Sequence, residues 1–346
     1  MNATIRRREP EIEPHRLLPS AAAQRRLARR LGHERQFDEV LEASALYGVD
    51  PQALDEIYAY WLDDFELEQQ SLFRLPGFRL QSDHGSLRFW HVRSGNSRAL
   101  PLLLLHGGSG SLAEFASLAA LLAEPASGAV QPFHVVCPAL DDASSAASCT
   151  ELMRSLGYSR YLVHGSDVGA AVALELGARA GAAVAGLHVT SVQAYPSEAA
   201  GELAALTSAE KSQLAVLTEW YERGAELPES PLEELACALT QLADSLDESV
   251  RWRDALLTGL SLRWASSVAA PRDARHTQLR LAPSCVSAVP LAVHCFPLGT
   301  PSLRRFVEAR HRVAEWHEHG RGGTCPALEQ PELLLASLRT FAARLS

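Results

Sequence analysis

The chain has 346 residues, 47% of them hydrophobic and 21% charged, with a net charge of −9 at neutral pH. That is ordinary globular composition, with ample material for a sizeable core, and it excludes a disordered, collagen-like or disulfide-stapled chain. The acidic balance argues against a nucleic-acid partner, which calls for a basic face. Of the 32 basic residues only Lys211 is a lysine, a codon-bias effect rather than a functional signature.

The N-terminal Arg6-Arg7-Arg8 is followed by Glu9-Pro10-Glu11 instead of the apolar stretch of a signal peptide. Residues 1–20, rich in charge and proline, are expected to form a loose or wrapped arm. From Ala21 to Leu72 apolar residues recur at helical spacing, for example Leu27, Leu31, Phe37, Val40 and Leu41, then Ile57, Trp61, Phe65 and Leu72. The period then changes to two. Phe78 and Leu80, a turn at Asp83-His84-Gly85, and Leu87, Phe89 and His91 predict a β-hairpin. Pro101–Leu105 is an unbroken apolar run ending in His106-Gly107-Gly108-Ser109-Gly110, which suits a strand buried on both faces of a parallel sheet.

An amphipathic helix is predicted over Leu112–Leu122, a strand over Phe133–Cys137, a helix ending at Leu156-Gly157, a strand over Tyr161–His164 and a small-residue helix over Ala170–Ala178. Strands alternating with helices imply a mostly parallel, doubly wound α/β sheet. Residues 192–284 lose that alternation and read as helical, with a capping signal at Thr207-Ser208-Ala209-Glu210. Strand signals return at Val286–His294, and a last amphipathic helix covers Pro331–Leu345. The expected layout is an arm (1–20), a helical N-terminal meander (21–76), an α/β-hydrolase core (77–191 and 285–346) and a helical lid (192–284). The apolar stretch Gly169–Val189 is broken by Glu175 and Arg179, so no membrane span is expected and the chain reads as cytoplasmic.

Six cysteines, at 137, 149, 237, 285, 295 and 325, form no CxxC pair. His317, His319 and Cys325 lack the spacing of a known metal set, and neither a metal nor a cofactor is expected. The segment that carries chemistry is His164-Gly165-Ser166-Asp167-Val168-Gly169, between a predicted buried strand and a predicted helix. It has the G-x-Nuc-x-G form of a nucleophile elbow with Asp167 as nucleophile. The helix N-terminus beneath it favours the carboxylate, which is the attacking form. The His-Gly-Gly loop one unit earlier is where such folds place a backbone N–H for developing negative charge, here Gly108 together with Val168. An Asp nucleophile disfavours esterase and peptidase chemistry and favours attack on carbon, opening an epoxide or expelling halide.

From about residue 27 to the C-terminus the sequence resembles the microsomal-type epoxide hydrolases. The resemblance runs through Tyr60-Trp61, Asp64-Phe65, Gln69, Leu75-Pro76, Phe78, LRFWHVRS (87–94), PLLLLHG (101–107), LGYSRYLVHGSDVG (156–169), Phe296-Pro297 and RGGTCPALEQPE (321–332). It implies an α/β-hydrolase with a helical lid, no cofactor and a small apolar epoxide as substrate, with Asp167 on the family's nucleophile.

The departures from that pattern are systematic. Gly299 stands where the family has the Glu of the water-activating relay, and Thr324 where it has the His. The lid tyrosines that hold the epoxide oxygen are missing: Ala225 occupies one place, and His276 falls at the other, a candidate substitute proton donor with a solvated helix histidine as the favoured alternative. Val168 replaces the Trp after the nucleophile, which also disfavours dehalogenation. His319, paired with His317 on a predicted strand, is the candidate displaced base. Trp220, Tyr221 and Trp264 are candidate pocket residues, with plain lid core as the alternative. Losing a general base costs roughly 10²–10⁴-fold in rate. Three readings follow: ring opening through Asp167 with impaired hydrolysis of the ester, Asp167 as acid–base in a cyclisation, or a pseudoenzyme that binds an apolar ligand. Oligomeric state is left open.

Overall fold

The computed structural model describes residues 10–34, 37–107, 111–125, 130–140, 145–196, 201–223, 228–242, 250–265 and 286–345, without the side chains of residues 37, 220–223, 241, 250 and 251. Its centre is a nine-stranded sheet: β1 (Glu11–Pro14), β2 (Gly77–Ser82), β3 (Gly85–Val92), β4 (Leu100–Leu105), β5 (Phe133–Pro138), β6 (Tyr161–Gly165), β7 (Val184–Val189), β8 (Ser287–Cys295) and β9 (His311–Glu318). Their spatial order is β1-β2-β3-β5-β4-β6-β7-β8-β9. Pairings from β1 to β5 through β2 and β3 are antiparallel, and all the rest are parallel.

The burial pattern follows from strand composition. In β4, Leu102–Leu105 are completely buried, as are the side chains of Val163 and His164 in β6. Strands covered on both faces cannot alternate polar and apolar residues. One face packs Leu103, Leu105, Val163 and Leu187 under α5 (Ala146–Ser155) and α6 (Val168–Arg179). The other packs Trp90, Leu102, Leu104 and Leu162 with α4 (Ala119–Ala123) and with Leu334, Leu338 and Phe341.

The N-terminal helices are α1 (Ala21–Glu34), α2 (Phe37–Tyr47) and α3 (Pro51–Asp63), followed by 3₁₀ turns at Leu67–Gln69 and Ser71–Arg74. Asp50 caps α3 by accepting from the Ala53 N–H at 3.1 Å, with Pro51 opening the helix. Between β7 and β8 lie α7 (Ser208–Arg223), α8 (Pro231–Leu242) and α9 (Val250–Ala265). The capping signal read before α7 is formed in both directions: Thr207 Oγ1 accepts from the Glu210 N–H, and Glu210 Oε2 accepts from the Thr207 N–H at 2.8 Å. The meander and α8–α9 share one apolar cluster. Within it the buried Trp61 indole donates to Ser261 Oγ at 2.9 Å, tying α3 to α9. The chain ends through α10 (Arg304–Glu308), α11 (Pro326–Glu329) and α12 (Pro331–Arg344). Among the described residues no helix is long and apolar enough to cross a membrane.

Three elements differ from expectation. Glu11–Pro14, expected in a loose arm, is an edge strand paired with Phe78–Gln81. Strand β7 was absent from the predicted set because its apolar residues continue the apolar run of α6. The helix predicted over Leu112–Leu122 is helical only from Ala119 to Ala123. Residues 111–118 are instead successive tight turns, closed by Glu114 N–H to Ser111, Ala116 N–H to Ala113 and Leu118 N–H to Phe115. Those turns bury Leu112, Ala113, Glu114, Phe115 and Ala116 together, which no single helical face could do.

Candidate active site

Asp167 stands between β6 and α6 with φ 49° and ψ −116°, the only non-glycine residue of positive φ among the described residues. Side chains disfavour this region, and it persists only where the surroundings enforce it. The enforcement is visible. A Cβ on Gly169 would collide with the carbonyls of Leu105 and His106, and one on Gly165 with the carbonyl of Gly169. The helix is therefore pressed against the end of β4, and the turn must pass through Asp167. Val168 is the first residue of α6, so its N–H belongs to the helix end that has no intrahelical acceptor.

The loop after β4 lies over the Asp167 side chain: a Cβ at Gly107 would be 3.3 Å from Asp167 Cβ and 3.6 Å from Oδ2. Beneath it, Glu114 is 1% exposed. Its carboxyl accepts from the Gly107 N–H at 3.2 Å and from Ser166 Oγ at 3.0 Å, so one side chain clasps both loops of the site. Burial, reinforced by the nearby charges of Asp167 and Glu329, raises its pKa to about 8. At neutral pH Glu114 is therefore held largely in its neutral form. Sequence reasoning missed this residue. Its signal was a lone carboxylate inside the apolar stretch 112–123.

Gly299 and Thr324, expected at the places of a relay Glu and His, lie close together in space. A Cβ on Gly299 would lie 3.4 Å from the Gly323 carbonyl oxygen, and the Leu298 N–H bonds to the Gly322 carbonyl. A cavity of 410 Å³ opens there, lined by Gly299, Thr324 and Pro297 together with Ser212, Gln213 and Val216 of α7. Thr324 is buried, and the following Cys325 N–H donates to Glu329 Oε1 at 2.9 Å. Neither position carries an imidazole or a carboxylate.

His319 takes part in a different network. Across β6, β7, β8 and β9, imidazoles meet in series. Nδ1 of His164 is 3.0 Å from Nδ1 of His188, His188 stacks on His294 at 4.4 Å between centroids, and His294 Nδ1 is 2.9 Å from His319 Nε2. His317 stacks on His294 at 4.6 Å, and His319 on Phe296 at 4.7 Å. Burial lowers the pKa of His164 to about 4 and, with the charges of His317 and His319, that of His294 to about 3. His188 is pushed well down by burial and then by His294. Trp264 packs in the cluster formed by α9 and the N-terminal helices, with the Arg30 guanidinium 4.3 Å above its ring. Trp220 and Tyr221 lie on α7. Gly108, Ala225 and His276 lie outside the described residues.

A strained elbow at the carboxyl end of a central parallel strand, with its helix behind it and a glycine loop over it, defines an α/β-hydrolase fold. Solved structures agree. An enantioselective mutant of the Aspergillus niger epoxide hydrolase superposes with a TM-score of 0.77 at 21% identity, covering 96% of each chain. The juvenile hormone epoxide hydrolase of the silkworm Bombyx mori gives 0.74 at 19% identity, covering 97% of this chain and 95% of that one. Residues 12–115 match the family model "Epoxide hydrolase N terminus". A Stigmatella aurantiaca protein named "Putative epoxide hydrolase" is 29% identical over 371 residues, covering 95% of this chain and 84% of that one. Rabbit (Oryctolagus cuniculus) "Epoxide hydrolase 1" is 28% identical over 166 residues, which span 41% of this chain and 36% of the rabbit protein. The chain thus has the α/β-hydrolase fold, and it is similar to epoxide hydrolases both in its N-terminal third and along nearly its whole length.

Proposed function

We propose that the protein opens small apolar epoxides by attack of Asp167 and retains the resulting ester far longer than an enzyme with a water-activating relay would. The observation that carries this reading is the backbone of Asp167, strained in the way that presents a nucleophile at a sheet edge. An Asp Oδ lone pair forms a bond to one ring carbon, that carbon's bond to the ring oxygen breaks, and the alkoxide takes a proton. The N–H groups of Gly108 and Val168 serve the ester carbonyl when its oxygen becomes negative. His276, outside the described residues, is the candidate that the sequence offers for that proton. Release of the ester needs water made nucleophilic by a base, and Gly299 and Thr324 supply none.

The test is intact-mass spectrometry after incubation with a terminal aryl epoxide. One adduct per chain is expected with the wild type and none with Asp167→Asn. Catalytic multiple turnover to diol by the wild type would mean that another base acts, with His319 the first to replace. Rapid turnover to a cyclised product free of solvent oxygen would replace the ester reading with the acid–base one. If Asp167→Asn still protects against heat in the presence of apolar ligands and neither protein reacts, the chain is a binding protein.

A further inference from the structure

The imidazole series ends, at the last strand of the sheet, in a group of donors that ring opening does not use. Alternation along β9 sets Glu315 and His317 on one face, and the register of β8 with β9 sets His294 opposite His317. Nitrogen and carboxylate atoms of His294, Glu315 and His317 all lie within 4.8 Å of one another.

The ring of His294 is 3% exposed, and its two nitrogens are in unlike situations. Nδ1 is engaged with His319 Nε2 at 2.9 Å, whereas Nε2 is buried with no hydrogen-bond partner. A neutral imidazole has one N–H. With that proton on Nδ1 and donated to His319, Nε2 presents a buried lone pair facing no donor, an arrangement that is unfavourable when nothing fills it. A ring whose far N–H is held by an acceptor while the near nitrogen is bare is the arrangement of a metal-ligating histidine. His319 is then the residue that orients the ligand.

The other two donors are held ready in the same way. Glu315 has a side chain 5% exposed, its Oε1 is 2.9 Å from Arg344, and its Oε2 is 3.2 Å from His317 Nε2. The guanidinium contact fixes the carboxylate in place. The His317 side chain is 47% exposed, so an ion can reach the group from solvent and water can complete its coordination. Two imidazole nitrogens and one carboxylate oxygen suit a borderline divalent ion, and disfavour calcium or magnesium, which take oxygen alone.

We propose that His294, Glu315 and His317 form a site for one divalent transition-metal ion of the zinc class at the β8–β9 end of the sheet, held in register by His319 and Arg344. On binding, the hydrogen bond between His317 and Glu315 is exchanged for bonds to the ion.

The experiment is titration of untagged, chelator-treated full-length protein with Zn²⁺ against a chromophoric chelator. One tight equivalent is expected. His317→Ala, which removes a half-exposed side chain, is expected to weaken it by about tenfold or more with an unchanged far-UV spectrum. His84→Ala, which removes an exposed histidine on the β2–β3 turn, is expected to leave it unchanged. Equal affinity in wild type and His317→Ala overturns the proposal, as does a loss caused by His84→Ala. Electron paramagnetic resonance of the Cu²⁺-loaded wild type gives a check that needs no variant. Coupling to two nitrogens is expected, and coupling to fewer overturns the assignment.

Discussion

Moving from pH 7 to pH 5 is expected to remove roughly 5 kcal/mol of folding stability, because buried imidazoles must be kept neutral. His164 and His294 have pKa values of about 4 and about 3 in the folded chain, against 6.5 when exposed. His91, whose Nε2 is 2.9 Å from the Tyr158 hydroxyl, and His311 are each lowered to about 4 by burial and a neighbouring arginine. In each case the unfolded chain takes up a proton that the folded chain refuses. The stabilisation is complete above pH 6.5 and is lost as the pH falls toward 4. At pH 5 the loss is about 2 kcal/mol for each of these four histidines. His188 acts in the same direction.

Glu114 works against them. Its folded pKa, about 8, lies above the usual 4.5, so the folded state holds the proton more firmly and gains stability as the pH falls. Between pH 7 and 5 that offsets about one histidine. Domains of this kind are stable by 5–15 kcal/mol, so the urea midpoint is expected to fall sharply at pH 5. Glu114→Gln is expected to steepen the fall from pH 7 to 5 and to flatten the profile between pH 7 and 9. Urea titrations of both proteins at four pH values decide the matter. Parallel profiles would show that Glu114 does not titrate in this range.

Gly169→Ala is expected to cost about 3 kcal/mol or more and to abolish adduct formation at Asp167. The added methyl meets the Leu105 and His106 carbonyls, main-chain groups at and just after the end of a central strand, which cannot turn aside as a side chain would. Helix α6 must retreat from β4, and the strain that presents Asp167 relaxes. Gly32→Ala provides the contrast. Gly32 lies in α1 with nothing within 4 Å of the new methyl, so the same change there should stabilise by roughly 0.5–1 kcal/mol. Thermal or urea melts of the pair measure both signs. A well-folded Gly169→Ala protein with unaltered reactivity would refute the account of the elbow.

What could be read from the residues depended on how far the physical cause lies along the chain. The hairpin β2–β3 was legible because alternation and a glycine turn are local. The elbow was legible because the residues that must lack side chains, Gly165 and Gly169, are two positions from Asp167. Glu114 was not, since its partners Gly107 and Ser166 come together only when β4 and β6 pair. The histidine series was equally hidden: positions 164, 188, 294 and 319 become neighbours only through the strand order β6-β7-β8-β9. Turn 111–118 misled because its apolar spacing imitates a helix, while the demand for an inward carboxylate folds it otherwise.

The pairing of Glu11–Pro14 with β2 bears on how the protein behaves in crowded solution. An uncovered row of amide and carbonyl groups invites a strand from another molecule. Here the row on Phe78–Gln81 is taken by a segment only four residues long, which ends in a proline and carries two glutamates, with Glu13 bound to Arg79 at 2.7 Å. Its outward side is too short and too charged to recruit a further strand. Removing residues 1–16 would strip that cover and leave Gly77–Ser82 open. Light scattering of the shortened chain should then show concentration-dependent self-association beyond that of the full chain.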